Sequence, residues 1–249
     1  MRRVRTVETA YQKFEVWQGG RETEFRVAGA VHAWHHETRF LTGLAWDMIA
    51  AGVLLAEKPP RSVLMLGLAG GTALRVLRHL LPDSRLVAVE IDAGIVACAR
   101  EFMALDSLGV EVVMADAYEW LARCGERFDV VVDDLYLAGA DDVFRPAAMD
   151  GTMLRLYRKA LKPGGRLAVN LVTGKGHRTM QSSIRKTLGE AFPELRSVRL
   201  PEALNEVLVA GREVSTGRVL PFYQEQFADP RDRKLWGHLR VSRIHPPQP

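Results

Sequence analysis

Cysteine is scarce in this chain of 249 residues: Cys98 and Cys124 are the only two. Their spacing excludes a metal site or redox motif built on thiols. Cys98 lies in an apolar helical pattern, as a small core residue does. Two unpatterned thiols suit a reducing compartment. Charge of one sign is also not in excess: the net charge is +4, with acids and bases scattered. The densest basic stretches, Arg2-Arg3-Val4-Arg5 and Arg231-Asp232-Arg233-Lys234, read as solvated termini, so nucleic acid is not the expected partner. The longest apolar stretch, Leu41 to Ala56, is interrupted by Asp47 and is too short to span a bilayer. The N-terminal arginines are not followed by an apolar segment of signal-peptide type. A cytoplasmic protein with no membrane partner is expected. No internal repeat is evident.

What is present is enough apolar side chain, 47% of residues, to bury a full core in one main domain with a small appendage. The most informative stretch is Val63 to Arg75. There an apolar run ends in the turn Gly67-Leu68-Ala69-Gly70-Gly71 and resumes with helical spacing. A buried parallel strand, a tight glycine turn and a helix start read this way. About 20 residues on, the run Leu86-Val87-Ala88-Val89 ends in Glu90, placed to accept hydrogen bonds from ribose hydroxyls. These features suggest a nucleoside cofactor, either a dinucleotide or a sulfonium nucleoside such as S-adenosylmethionine. Against the dinucleotide pattern G-x-G-x-x-G, the second glycine is Ala69 and the third is Thr72. A pyrophosphate needs closer backbone approach than Ala69 favours, which tips the reading to the sulfonium.

Period-two patterning over residues 9–32 around Gly19-Gly20 predicts a β-hairpin. Helical spacing from Glu37 to Glu57 ends at Pro59-Pro60. Beyond it, predicted strands at 62–66, 85–89, 110–114, 128–133 and 166–172 alternate with predicted helices at about 70–81, 93–104, 116–123, 150–161 and 177–191. This alternation implies a parallel sheet covered on both faces. The runs 195–200 and 205–210 have too short a link for a crossover and must be antiparallel. The expected fold class is therefore α/β: a Rossmann-like class I methyltransferase fold, mainly parallel, with a C-terminal antiparallel hairpin and a small N-terminal β-module. The expected divisions are 1–57 for that module and its linking helix, 58–215 for the nucleoside-binding domain, and 216–249 for a peripheral segment with a loosely held tail.

In such a sheet ligands sit beyond the carboxyl ends of the strands. Here those ends carry Gly67 to Gly71, Glu90, Asp116-Ala117 and Asp133-Asp134. Asp116 also has the place of a helix N-cap. Asp133 and Asp134 point to opposite sides, so one of them faces the ligand. His32, His35, His36 and Glu37 invite a metal, but no fourth ligand with supporting spacing follows, and no metal is expected. Lys162-Pro163-Gly164-Gly165 reads as a helix end and turn, and Trp17, Trp34, Trp46 and Trp120 as packing residues.

These motifs, in order over roughly residues 10–210, resemble the spermidine synthase family, the polyamine aminopropyltransferases. Tyr11-Gln12, His35-His36-Glu37, the glycine loop, Val89 to Asp92, Asp116-Ala117, Phe128 to Asp134 and Leu161 to Gly165 carry the likeness. The resemblance implies a homodimer formed through the N-terminal module. It also implies a pocket for S-adenosylmethionine or its decarboxylated form and a small, possibly polyamine, acceptor. Taken together, the candidate cofactor contacts are Gln12, Gly67, Ala69, Gly70, Gly71, Glu90, Ile91, Asp116 and Ala117. The acceptor contacts are His36, Glu37 and Tyr136, and the catalytic acids are Asp133 and Asp134.

Two departures from that family bear on the reaction. Its loop reads Gly-Gly-Gly-Asp-Gly-Gly, and its acid, which repels the carboxylate of the ordinary cofactor, falls on Gly70. With glycine there the repulsion is absent, and the reading leans to methyl transfer, with aminopropyl transfer as the alternative. The family's Asp-Ser-x-Asp-Pro is replaced by Asp133-Asp134-Leu135-Tyr136-Leu137-Ala138, so the second catalytic acid is missing unless Asp141-Asp142 fold back. A binding or assembly protein that kept the fold and lost the chemistry is a further alternative.

Overall fold

The computed structural model describes residues 1–139 and 143–244. The chain opens with β1 (Arg2–Glu8), β2 (Lys13–Gly19), β3 (Glu22–Val27) and β4 (Ala30–His36), one antiparallel sheet in that order. The predicted hairpin is β2–β3, turning at Gly20 with φ of 60°. Phe14, Val16 and Phe25 of this hairpin and Ala33 of β4 are fully buried. The strands on either side escape the sequence reading. β1 is exposed and charged along nearly its whole length, so it shows no alternation, and β4 follows a tight turn at Ala28-Gly29, both at positive φ.

The helix predicted over 37–57 is confined to α1 (Ala45–Val53). The preceding backbone N–H groups are already taken by side chains. His36 Nδ1 accepts from Thr38 and Arg39, Asp232 from Phe40 and Leu41, and Asp47 from Thr42 and Gly43. Donors committed in this way are withheld from the i→i−4 ladder that a longer helix would need.

Then come β5 (Ser62–Leu66), α2 (Thr72–Leu80), β6 (Arg85–Glu90), α3 (Ala93–Phe102), β7 (Glu111–Met114), α4 (Ala117–Arg123) and β8 (Phe128–Asp133). A short antiparallel pair follows, β9 (Leu137–Ala138) with β10 (Val143–Phe144). The chain continues through α5 (Gly151–Ala160), β11 (Leu161–Val172), α6 (Arg178–Ala191), β12 (Glu194–Arg199) and β13 (Asn205–Gly211). The main sheet has the order β14-β12-β13-β11-β8-β5-β6-β7, where β14 is Arg240–Arg243. β11, β8, β5, β6 and β7 run parallel; β13 is antiparallel to both β11 and β12. This is the expected class I methyltransferase fold with its final hairpin. One apolar core joins the N-terminal sheet, α1, α2 and α3; a second lies under α4, α5 and α6.

The segment after 215 is held more firmly than its polar composition suggests. It forms α7 (Leu220–Gln224) and α8 (Pro230–Gly237), buries Phe227 and Trp236, and ends in β14 paired with β12. Asp232 ties α8 to the linker before α1. No helix among the described residues is long and apolar enough to cross a membrane.

Candidate functional site

The chain leaves β5 for β6 on one side and returns through β8 on the other, so a crevice opens beyond their carboxyl ends. It is walled by the glycine loop, the ends of β6, β7 and β8, and the turn before β2.

The loop is shaped by its smallest residues. Gly67 has φ of 88°, and a Cβ there would stand 2.5 Å from the carbonyl oxygen of Asp134, so only glycine lets the two strand ends close up. Ala69 adopts φ of 46°, the left-handed region that side chains avoid, and lines the cavity. Gly71, at φ of 78°, precedes the first turn of α2. Thr72 is bonded in both directions to the backbone of Trp34, at 2.8 and 3.0 Å, which clamps the N-terminal sheet over the loop.

Glu90 holds the two halves of the crevice together. Its Oε2 accepts from Leu68 N at 2.9 Å and Ala69 N at 3.1 Å; its Oε1 accepts from Ile91 N at 2.9 Å and Asp92 N at 3.0 Å. Asp92 caps α3 through Oδ1 and accepts from Thr9 Oγ1 and Gln12 Nε2 through Oδ2. Gln12 is thereby fixed in the wall. Asp116 caps α4 with Oδ1, accepting from Tyr118 N at 2.8 Å and Glu119 N at 3.0 Å. Among the described residues its Oδ2 has no hydrogen-bond donor, which leaves that oxygen for a ligand.

Asp133 and Asp134 divide as alternation requires. Asp133 is fully buried, accepts from Arg145 and from Tyr157 Oη at 2.6 Å, and does not line the cavity. Asp134 lines it, with Oδ1 accepting from Asn170 Nδ2 at 2.7 Å. Burial pushes its carboxyl up to about 7; the Asn170 bond opposes this, and the Asp133 charge adds to it. Tyr136 lines the cavity with its hydroxyl engaged, donating to Asn170 O and accepting from Val172 N.

Of the sequence candidates, Gln12, Gly67, Ala69, Glu90, Ile91, Asp116, Ala117, Asp134 and Tyr136 come together around the cavity. Gly70, Gly71, Asp133, His36 and Glu37 do not. A Cβ on Gly70 would overlap that of Ala33, so this position faces the N-terminal sheet and not the ligand side. His36 caps the 38–39 backbone and stacks on Trp34, while Glu37 is exposed beside Arg21. Asp141 and Asp142 lie outside the described residues. Sequence reasoning passed over Asp92 and His32 as wall residues. Asp92 had a usable signal, an N-cap residue just past a strand-end acid. His32 had none, because only the closure of β4 over the loop brings it there; burial pulls its pKa below the ordinary value.

No group of three or more His, Cys, Asp or Glu residues suited to a metal ion occurs among the described residues.

Residues 45–211, spanning β5 to β13 with α1 before them, match the spermine/spermidine synthase domain. The chain belongs to that family. It is 30% identical over 154 residues to a probable polyamine aminopropyl transferase of Bifidobacterium longum, covering 61% of this chain and 33% of that protein. It is 26% identical over 224 residues to the eEF1A lysine and N-terminal methyltransferase of Danio rerio, covering 86% and 31%. The chain thus spans about a third of the length of these two relatives. A probable spermidine synthase from Corynebacterium glutamicum shares the fold, with a TM-score of 0.69 at 17% identity over 96% of this chain and 90% of that one. The relatives of this chain thus include proteins named for aminopropyl transfer and for methyl transfer.

Proposed function

We propose that this family member transfers an aminopropyl group from decarboxylated S-adenosylmethionine to an amine. The observation that carries this reading is the charge of the cavity wall: four carboxylates, Glu90, Asp92, Asp116 and Asp134, and no lysine or arginine among its described residues. A decarboxylated sulfonium nucleoside bears two positive charges, on sulfur and on the terminal ammonium, and such a wall suits both. The carboxylate of the ordinary cofactor would meet like charge there with no counter-cation. The lean to methyl transfer rested on Gly70, and Gly70 is turned away from the cavity, so that ground is lost.

The nucleoside supplies an electrophilic carbon bonded to a good leaving group, a neutral thioether. The glycine loop and Glu90 shape the site around the nucleoside, and the uncommitted oxygen of Asp116 is available at its far end. Attack requires an uncharged amine aligned with the leaving sulfur. Asp134, with its carboxyl at about 7, can take the proton released from that amine near neutral pH. Beyond Asp134 the wall continues with Leu135, Tyr136 and Leu137, so at this strand end a single carboxylate faces the acceptor.

Methyl transfer from S-adenosylmethionine is the second reading, favoured by the methyltransferase relatives. Calorimetry with both nucleosides, followed by mass spectrometry of products from an amine panel, separates the two. Binding of the decarboxylated form at least tenfold tighter, about 1.4 kcal/mol, with aminopropylated product, is expected. Preferential binding of S-adenosylmethionine with methylated product overturns the proposal.

A further inference from the structure

Behind Asp134 the structure holds two asparagines that neither line the cavity nor figure in the site as read from the sequence. Asn170, on β11 and 5% exposed, donates from Nδ2 to Asp134 Oδ1 at 2.7 Å. Its Oδ1 accepts from Asn205 Nδ2 at 3.1 Å. Asn205 opens β13, opposite Val172 in the antiparallel register. The backbone carbonyl of Asn170 is pinned as well, by Tyr136 Oη at 3.1 Å and Arg145 Nη1 at 3.5 Å.

We propose that Asn205 and Asn170 form an amide relay that sets the orientation of the Asp134 carboxylate, which makes both of them positioning residues for the reaction. The inference rests on the reading of Asp134 as the group that accepts the amine proton. A primary amide presents an acceptor on one side and donors on the other, and its neighbours decide which side faces where. An ionised carboxylate only accepts, so Asn170 must turn its NH2 toward Asp134. That leaves its oxygen facing Asn205, where a donor is needed, and Asn205 supplies one. The polarity of the chain is therefore matched to the ionised base. Reversing Asn170 would set its oxygen against Asp134 Oδ1 unless that acid held a proton, and reversing Asn205 would set its oxygen against Asn170 Oδ1. With Oδ1 fastened in this way, Oδ2 of Asp134 is left for the acceptor.

Other groups face Asp134 too. Asp133 beneath it and Glu90 across the crevice raise its carboxyl, and Arg145 on the Asp133 side lowers it. Tyr136 beside it is hydrogen-bonded to the Asn170 and Val172 backbone. Among the described residues none of these groups is hydrogen-bonded to the Asn205 side chain, whose partner is Asn170, so a change at 205 reaches Asp134 through Asn170.

The test uses Asn205→Asp, Asn205→Ser and Asn170→Leu in the full chain. The Asp134 carboxyl carbon is titrated by NMR, its signal assigned by its loss in Asp134→Asn. A carboxylate at 205 competes for the Asn170 NH2, so the midpoint is expected to move up by about one unit or more in Asn205→Asp and in Asn170→Leu. Asn205→Ser, which can still donate, is expected to stay close to the unaltered value. The acid limb of turnover with decarboxylated S-adenosylmethionine should move with the midpoint, while KM for the nucleoside changes less than about twofold. Folded variants, judged by an unchanged thermal transition, with an unshifted midpoint would overturn the relay. A chain that turns over neither nucleoside defeats the proposed function, and the titration still decides the relay.

Discussion

Asp133 and Asp134 are neighbours in sequence that serve opposite sides of the sheet. Asp133 pairs with Arg145 and Tyr157 in the buried layer beneath α5, and Asp134 looks into the crevice beside Gly67. The half-turn between successive strand residues separates them, and the carbonyl of Asp134 presses on Gly67 closely enough to forbid a side chain there. One acid is committed to the buried layer and the other faces the cavity.

Asp134→Asn should lower turnover by about 10²- to 10⁴-fold, the usual contribution of a general base, with nucleoside affinity changed only a few-fold. In the unaltered protein, turnover should rise with pH as this carboxyl ionises at about 7. A pH profile of kcat checks both, and an unchanged acid limb in the variant would remove Asp134 from the mechanism.

Asp133→Asn should instead cost stability. Arg145 is 4% exposed in its side chain and would lose its counter-charge. Stranding a buried cation in this way costs about 3–5 kcal/mol. Urea unfolding measures the loss, and a double variant, Asp133→Asn with Arg145→Met, should recover part of it.

Gly70→Ala should destabilise the protein by about 1–3 kcal/mol, because the added methyl overlaps Ala33 where the loop meets the N-terminal sheet. It should leave the preference between the two nucleosides unaltered. A change of preference in a stable Gly70→Asp variant would show that this position does face the ligand.

Asp47 links stability to pH. It is 1% exposed, and burial raises its carboxyl to about 7. The unfolded chain ionises it near its ordinary value, so between about pH 4 and 7 the folded state binds the extra proton. The contribution of this group is present in full below that window and declines as pH rises through it. Asp47→Asn should flatten the fall in urea midpoint between pH 5 and pH 8; an unchanged slope would assign the fall to other groups.

The central strands were legible in the sequence because they are covered on both faces, so β5, β6 and β8 carry the apolar runs 63–66, 86–89 and 130–132, each followed by glycine or acid. β1 was not legible, since an exposed charged strand carries no alternation. The linker at 37–44 looked helical because its apolar spacing is helical. Its backbone is held by Asp232, 192 residues away from Phe40, and no local pattern reports a partner at that distance. The site followed the same division. Strand-end acids could be named from topology, whereas His36 and Glu37 looked like pocket residues and are turned away by the register of β4.

The order of apolar runs, the short link between β12 and β13, and the acids at strand ends determined the fold class and the edge where a ligand would bind, because both follow from periodicity and connection length. Which face each strand-end residue presents, where Gly70 points and what stands behind Asp134 were decided only by tertiary packing. A single residue of register turns a side chain from cavity to core. The N-terminal sheet, clamped by Thr72 to the backbone of Trp34, then settles which atoms of the glycine loop remain open to a ligand.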